Sequence, residues 1–295
     1  MSRPPRPAAP VAAPLSMGDF RALVLREGAL HWRDLPWRRT RDAYAVWVSE
    51  VMLQQTQVSR VDGRWQRWLS RFPDPEALAA APTADVLAEW QGLGYNRRAL
   101  ALQRAAAEVC SRWGGEVPGD LDALVSLPGI GPATAAGIRA FAFDLPGVYL
   151  ETNVRAVFLH EFFPDAERVP DSALVPLVRE ACPEQGTRRW YYALLDYGAH
   201  LKRTVPNPSR RSASHTRQSA FEGSRRQKRA ALVRLLLEAR EAGCEGISLD
   251  DAVASLGALE RAKGRPEPSA ELVLDLLSNL SDEGFCTPVN DLWSC

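Results

Sequence analysis

Paired cysteines are missing from this sequence. Its five cysteines, Cys110, Cys182, Cys244, Cys286 and Cys295, are far apart, odd in number and never form a C-x-x-C. That excludes a disulfide framework and gives no ligand set for a metal or cluster, and a reducing cytoplasm is expected. Net charge is missing too: the formal value is zero. Nothing steers the whole chain towards DNA, so any nucleic-acid surface must come from local clusters of Arg and Lys. No run is long and apolar enough to span a membrane. Residues 1–15, rich in Pro, Ala and Arg without an apolar core, read as a disordered tail and not as a signal peptide. Alternating β-branched runs are also absent, while Ala, Leu and Arg are plentiful, which points to a mainly α protein. With 295 residues, one large domain or two modest ones fit.

What is present is organised around Leu127-Pro128-Gly129-Ile130-Gly131. Asp120 to Ser126 reads as a short helix with Asp120 as its cap. Pro132 suits the first turn of a second helix that runs to about Ala142. Gly129 and Gly131 between them permit positive φ and leave the backbone uncovered. Such a helix–hairpin–helix aims N–H groups at an anion such as a phosphate. The same pattern is also compatible with an ordinary αα-corner.

Elsewhere the chain reads as a series of helices. Ser16 caps one to about His31, and Pro36 keeps Leu35–Arg38 a turn. Tyr44–Leu53 is followed by a break at Gln54-Gln55-Thr56 and a helix over Val58–Leu69. Short helices capped by Asp74 and Thr83 come next. Gly92–Tyr95 then punctuates before a long helix, Arg97–Trp113, that Gly114 ends. Asn153 is expected to cap a helix to about Phe162, and helices follow near Ser172–Ala181 and Thr187–Leu201. Residues 202–228 form a basic linker or arm: Lys202 to Arg229 holds nine Lys or Arg against one acid, Glu222. Residues 229–295, with three helices and two short strands around Glu283–Thr287 and Asp291–Trp293, suggest a small winged-helix-like module.

Two carboxylates carry possible chemistry. Glu50 sits among apolar residues in Val48–Leu53. Facing a dry pocket it would have a raised pKa and could act as a general acid; facing solvent it would be an ordinary helical glutamate. Glu151 lies just before a helix, where a carboxylate also suits the helix dipole. Two carboxylates flanking a C–N glycosidic bond could protonate the leaving group and stabilise a cationic sugar. His200 and His215 have no clustered acids or cysteines beside them, so no metal site is expected. The tryptophans are mostly core candidates.

Several stretches occur together in a familiar order: LPWR at Leu35, WVSEVMLQQTQV from Trp47, WQGLGYNRRA from Trp90, LPGIGPATA from Leu127, ETNVR from Glu151 and LLDYGA from Leu194. Over about Leu35–Lys202 the chain resembles the helix–hairpin–helix DNA glycosylases, most closely those of the MutY type, with endonuclease III more distant. The resemblance implies a glycosylase domain over 16–201, made of two helical subdomains that clasp double-stranded DNA and flip a base between them. It implies that Glu50 is the acid that protonates adenine. It puts Gln54, Gln55 and Thr56 in a loop that enters the duplex, and Tyr95 beside the opposing base. Leu127, Gly129, Ile130 and Gly131, with Asn153, would hold DNA, and Arg210 and Arg211 of the arm would add contacts.

The resemblance also implies departures. Ala133 stands where bifunctional relatives carry a Schiff-base lysine, so water is the expected nucleophile and strand cleavage is not. Glu151 stands where the family has aspartate. No cysteine follows Gly198-Ala199, so no iron–sulfur cluster and no other cofactor is expected. The family's 8-oxoguanine-reading C-terminal domain is replaced by the small tail. The expected activity is excision of adenine mispaired with guanine or 8-oxoguanine from mismatched DNA, by a cytoplasmic, nucleoid-associated monomer that does not bind membranes. A glycosylase for thymine, uracil or a deaminated purine, and a DNA-binding protein without catalysis, are the alternatives.

Overall fold

The computed structural model describes residues 15–215 and 220–295. The tail expected over 1–15, apart from Leu15, lies outside the described residues, as do positions 216–219 of the basic stretch. The helices are α1 (Met17–Leu30), α2 (Ala43–Leu53), the single turn α3 (Val58–Val61), α4 (Arg64–Arg71), α5 (Pro75–Ala80), α6 (Thr83–Trp90), α7 (Arg97–Trp113) and α8 (Leu121–Val125). They continue with α9 (Pro132–Phe143), α10 (Thr152–Phe162), α11 (Asp171–Ala181), α12 (Thr187–Thr204), α13 (Arg225–Glu241), α14 (Leu249–Arg261) and α15 (Ala270–Asp282). Two short strands close the chain, β1 (Thr287–Val289) and β2 (Leu292–Ser294). The described residues are thus mainly α, as composition implied.

Short polar side chains start many of these helices by accepting the N–H groups that a helix leaves without partners. Asp42 accepts from Ala45 N at 2.6 Å, Asp74 from Ala77 N at 2.8 Å and Asp120 from Ala123 N at 2.9 Å. Ser248 and Asp251 form a reciprocal capping box on α14. The sequence reading needs correction at four places. The helix expected over Val58–Leu69 is broken at Asp62-Gly63, where Gly63 takes a φ of +76° and opens a new helix. Thr83 is the first residue of α6 and Pro82 occupies its cap. The cap of α10 is Glu151, not Asn153, because the Glu151 carboxylate itself reaches back to the first-turn N–H groups. Residues 202–228 are no simple linker: α12 runs on to Thr204, and Ser224 starts α13.

The chain divides into two compact units. The first comprises residues 15–34 and 144–215, hence α1, α10, α11 and α12. Its core centres on Phe20, whose ring lies 5.0 Å from Phe158 and 6.0 Å from Trp190, all edge-on. Asp196, fully buried on α12, receives Arg33 Nε at 2.6 Å and so holds the chain that leaves α1. Two glycines let helices approach. A Cβ on Gly28 would lie 2.3 Å from the Ala193 Cβ, and one on Gly198 would lie 2.2 Å from the Asn153 carbonyl oxygen. After α12 the chain makes a 3₁₀ turn, Pro208–Arg211. Val169 N donates to Arg211 O at 2.8 Å and Ala213 N to Val169 O at 2.9 Å, which fasten this turn beside α11.

The second unit comprises residues 35–143 and 220–295. Its core is built on Trp47, Trp68 and Trp90, with Met52, Leu87 and Leu102 around them. Trp65 Nε1 donates to Ala45 O at 2.9 Å and Trp68 Nε1 to Tyr44 Oη at 3.2 Å, so these indoles are buried without losing their polar partners. Leu232, Leu236, Leu256, Leu276 and Phe285 of the C-terminal segment extend the same apolar cluster. α13, α14 and α15 precede an antiparallel hairpin in which Thr287 pairs with Ser294 and Val289 with Leu292. Asn290 and Asp291 both have positive φ, as a tight two-residue turn requires. A bridge from Ile247 to Trp293 adds a third edge, in the order of a winged helix.

The close approach at Gly198 makes a prediction. A methyl group there must displace backbone, so Gly198→Ala is expected to destabilise the protein by about 1–3 kcal/mol in urea unfolding. A variant within about 0.5 kcal/mol of the parent would show that α10 and α12 can part without loss.

Candidate functional site

The helix–hairpin–helix forms as the spacing implied. α8 ends at Ser126, Ile130 N donates back to Leu127 O at 3.2 Å, and α9 opens at Pro132. Leu127 and Ile130 are buried and anchor the hairpin, while Gly131, Pro132 and Ala133 are exposed at its tip. Gly129 has a φ of +77°, and a Cβ there would lie 2.7 Å from the Ala101 methyl group, so only glycine fits against α7. The tip therefore presents backbone at the start of a twelve-residue helix, a geometry suited to a phosphate. Ala133 stands in the first turn of α9 and offers no amine there.

Three further sequence-chosen residues adjoin the hairpin. Gln54 caps α2, and its Nε2 donates to Thr134 Oγ1 of α9 at 2.9 Å. Gln55 is exposed at a φ of +53°, and Thr56 is half-buried. Tyr95 follows Gly94, sits at a φ of +51° and is 40% exposed. Left-handed backbone at a glutamine and a tyrosine is costly and persists only where the surroundings enforce it. Glu50 occupies the last turn of α2, half-buried, one residue from the buried Ser49 and Val51 and one turn from Trp47.

The enforcing group is Arg98, which the sequence reading passed over inside WQGLGYNRRA. Its Nη1 donates to the carbonyls of Val51 (2.7 Å), Met52 (3.1 Å) and Gln54 (2.6 Å). Its Nη2 donates to Thr56 Oγ1 (3.1 Å) and to the carbonyls of Leu93 (3.3 Å) and Gly94 (2.8 Å). One guanidinium thus satisfies the end of α2, the Gln54–Thr56 loop and the turn before Tyr95. Its carbon lies 5.2 Å from the Trp90 ring and 5.5 Å from the Tyr95 ring, so aromatic faces support the charge. Burial pushes its pKa down to about 10, which leaves it cationic at neutral pH. A cavity of about 280 Å³ opens beside it, lined by Trp47, Val51 and Gln54, by Arg97, Arg98, Ala101 and Leu102 of α7, and by Pro128 and Gly129 of the hairpin. The signal that could have found Arg98 is the run of glycine and left-handed turn residues just before it.

Glu151 and Asn153 belong to the other unit. The Glu151 Oε1 accepts from Asn153 N at 2.7 Å and Val154 N at 3.2 Å. Lys202 Nζ donates to Asn153 Oδ1 at 3.0 Å, which brings a positive charge close to the carboxylate. Burial pushes the Glu151 carboxyl above its ordinary value, against the downward pull of the two N–H groups and Lys202. Arg211 is turned inward, with Nη2 on Leu159 O at 2.9 Å and Nη1 on Pro164 O, whereas Arg210 is exposed. His200 stacks on His31 with centroids 3.6 Å apart, and His215 is exposed.

An iron–sulfur cluster does not fit these residues. It needs four thiolates, or two with histidines, and the unit that contains α10–α12 has Cys182 as its one cysteine among residues 144–215. After α12 the chain forms the Pro208–Arg211 turn, held by the Arg211 bonds just described. Among the described residues, no group of three or more His, Cys, Asp or Glu could hold a metal ion. Among them, too, no helix is long and apolar enough to cross a membrane.

Replacing Arg98 tests the clamp. Lysine keeps the charge but cannot span acceptors on both loops. Arg98→Lys is expected to cost about 1–3 kcal/mol in unfolding and to speed amide hydrogen exchange over residues 53–56 and 92–95, with α10–α12 amides unchanged. Unaltered exchange in both loops would remove Arg98 from this role.

Known proteins corroborate the fold. Residues 48–182 match the family model described as HhH-GPD superfamily base excision DNA repair protein. The chain is 40% identical over 169 residues to an adenine DNA glycosylase of Mycolicibacterium smegmatis, covering 57% of this chain and 58% of that protein. It is 44% identical over 126 residues to one of Mycobacterium tuberculosis, covering 42% of this chain and 41% of that one. The matched region thus spans about half the length of these relatives. Among solved structures, a thermostable thymine-DNA glycosylase matches with a TM-score of 0.56 at 25% identity, covering 62% of this chain and 86% of that one. Endonuclease III in a non-covalent DNA complex matches with a TM-score of 0.53 at 20% identity over 64% of this chain and 87% of that one, a likeness of fold. The likeness to the HhH-GPD superfamily of base excision DNA repair proteins thus runs through residues 48–182, with the glycine hairpin they contain.

Proposed function

We propose that this protein is a monofunctional DNA glycosylase that releases adenine mispaired with guanine or 8-oxoguanine in double-stranded DNA. The observation that carries the reading is Glu50: a half-buried carboxyl in the last turn of α2, directly ahead of a loop held rigid by Arg98. Glu50 gives a proton to the adenine ring, the bond from the base nitrogen to the sugar carbon breaks, and the base leaves with the bonding electrons. The Glu151 carboxylate stabilises the resulting cationic sugar. Water then adds to the sugar carbon and loses its proton, which leaves an abasic site.

Each remaining residue has a physical task in this reading. Gln54 and Gln55 fill and probe the gap left by the flipped base, and Tyr95 stands beside the opposing base. The Gly129–Gly131 tip binds a backbone phosphate and fixes register without reading sequence. Ala133 supplies no amine, so no covalent sugar adduct forms and the strand stays intact. The reaction needs no metal, and cytoplasmic work on DNA as a monomer is consistent with it. The identity to named adenine glycosylases favours adenine, and the likeness to a thymine-DNA glycosylase supports thymine opposite guanine as the second reading.

Single-turnover excision on duplexes with adenine opposite 8-oxoguanine, adenine opposite guanine, thymine opposite guanine and uracil opposite guanine decides the base. Adenine release is expected, with strand cleavage only after alkali. Glu50→Gln should lower the rate by a factor of about 10²–10⁴ while mismatched DNA remains bound. Excision at the parental rate by this variant would sink the mechanism, and thymine release would install the second reading.

Glu151 links activity to pH and stability. Its raised carboxyl pKa means that the unfolded chain ionises first, from about the ordinary value of 4.5. The stability contributed by this group is full below that pH and is lost as pH rises through the folded value. Glu151→Gln keeps an acceptor for the two N–H groups and escapes that loss. It should melt above the parent at about pH 8, with the difference closing below about pH 4.5, and should excise adenine at least about 10²-fold more slowly. A variant that is less stable than the parent at the higher pH would contradict the assignment.

A further inference from the structure

The basic residues that open α13 do not share one fate. Arg225 is paired with Asp275, Lys228 with Glu260 at 3.3 Å and Arg229 with Glu283 at 2.6 Å, all within the C-terminal segment. Arg226 reaches Tyr95, with Nη1 3.4 Å from the phenol oxygen. Its guanidinium carbon also lies 5.9 Å from the Phe221 ring. Phe221 is 50% exposed and Tyr95 40%.

The turn that carries Phe221 is rigidly built. Ser224 Oγ donates to Phe221 O at 2.6 Å, and Gly223 N donates to Gln227 Oε1 at 2.6 Å. Glu222 is drawn the other way, onto Lys263 at 2.7 Å and Arg265 at 3.2 Å. The segment is fixed beside Tyr95 by Glu283, whose carboxylate takes both Arg97, two residues after Tyr95, and Arg229. An exposed phenylalanine held in place, next to an arginine and an exposed tyrosine, is what single-stranded or unstacked nucleic acid recognises: ring faces for bases and a guanidinium for phosphate.

We propose that Tyr95, Arg226 and Phe221 form one face that takes the DNA strand opposite the excised base, with Phe221 stacked on a base of that strand and Arg226 on its phosphate. The C-terminal segment thereby supplies contacts to the opposing strand. This rests on the placing of Tyr95 beside the opposing base under the proposed function. The chemistry favours DNA over a protein partner because the two aromatic rings are bridged by a cation and continue into the loop turn that Arg98 holds.

Binding can be tested without excision. In the full chain carrying Glu50→Gln, fluorescence anisotropy on a duplex with adenine opposite 8-oxoguanine measures affinity at several salt concentrations. Phe221→Ala is expected to weaken binding about tenfold with an unchanged salt slope. Arg226→Ala should weaken it and lower the slope by about one ion. Arg234→Ala removes the same charge from an exposed site farther along α13 and should stay within about twofold. For the strand, 5-iododeoxyuridine is placed in either strand, irradiated, and the cross-linked peptide identified. Cross-linking of Phe221 to the 8-oxoguanine strand supports the proposal. It is overturned by cross-linking to the adenine strand alone, by binding of Phe221→Ala and Arg226→Ala within twofold of the parent, or by an equal loss in Arg234→Ala. None of these readouts requires adenine release, so failure of the excision reading is scored separately in the base panel.

Discussion

The hydrogen bonds of one buried guanidinium set the geometry of the loops on which the proposed DNA contacts depend. Arg98 fills acceptors that would otherwise be stranded at the end of α2 and in two tight loops. A cation with a planar fork is needed because the acceptors come from three directions and include successive backbone carbonyls. The left-handed conformations of Gln55 and Tyr95 are stored on either side of it. The loops are therefore short, strained and stiff, which suits residues proposed to enter a stacked duplex without first losing conformational freedom.

Glu151 shows a second economy. The carboxylate proposed to stabilise a cationic sugar is already the N-cap of α10, bound by two amides and approached by Lys202 through Asn153. Those partners favour its ionised form while burial opposes it. A longer side chain than aspartate can still be aimed by such a cap, because the amides fix one oxygen and leave the other to the site. Gly198 contributes from a distance: without a side chain it lets α12 lie close enough for Lys202 to reach Asn153.

Much of this was legible from local chemistry. Asp74, Asp120 and Ser16 announce helix starts, Gly114 announces a stop, and Leu127–Gly131 announces the hairpin, since each depends on its near neighbours. What escaped depends on residues far apart in sequence. Arg98 reads as one more arginine in an amphipathic helix until residues 51–56 are folded against it. Arg211 reads as a DNA-facing cation until Leu159 and Pro164 present their carbonyls. Asn153 looks a better cap than Glu151 on propensity alone, and the start of α13 was hidden in a charge run that resembled a linker. The pairing of Glu283 with both Arg97 and Arg229 carries no signal in sequence.

The way the two units interleave along the chain has a consequence for biosynthesis. The unit with α10–α12 starts at the N-terminal segment and has all its described residues by position 215. The unit with the hairpin begins at Leu35, before α10–α12, yet it draws Phe285 and Cys286 into its core and pairs Ile247 with Trp293. A chain emerging from the ribosome therefore holds α2–α9 unfinished through the synthesis of the other unit. Its hairpin-bearing half is sealed only once Phe285 and Trp293 have been made, so nascent chains expose the tryptophan-rich core until that point.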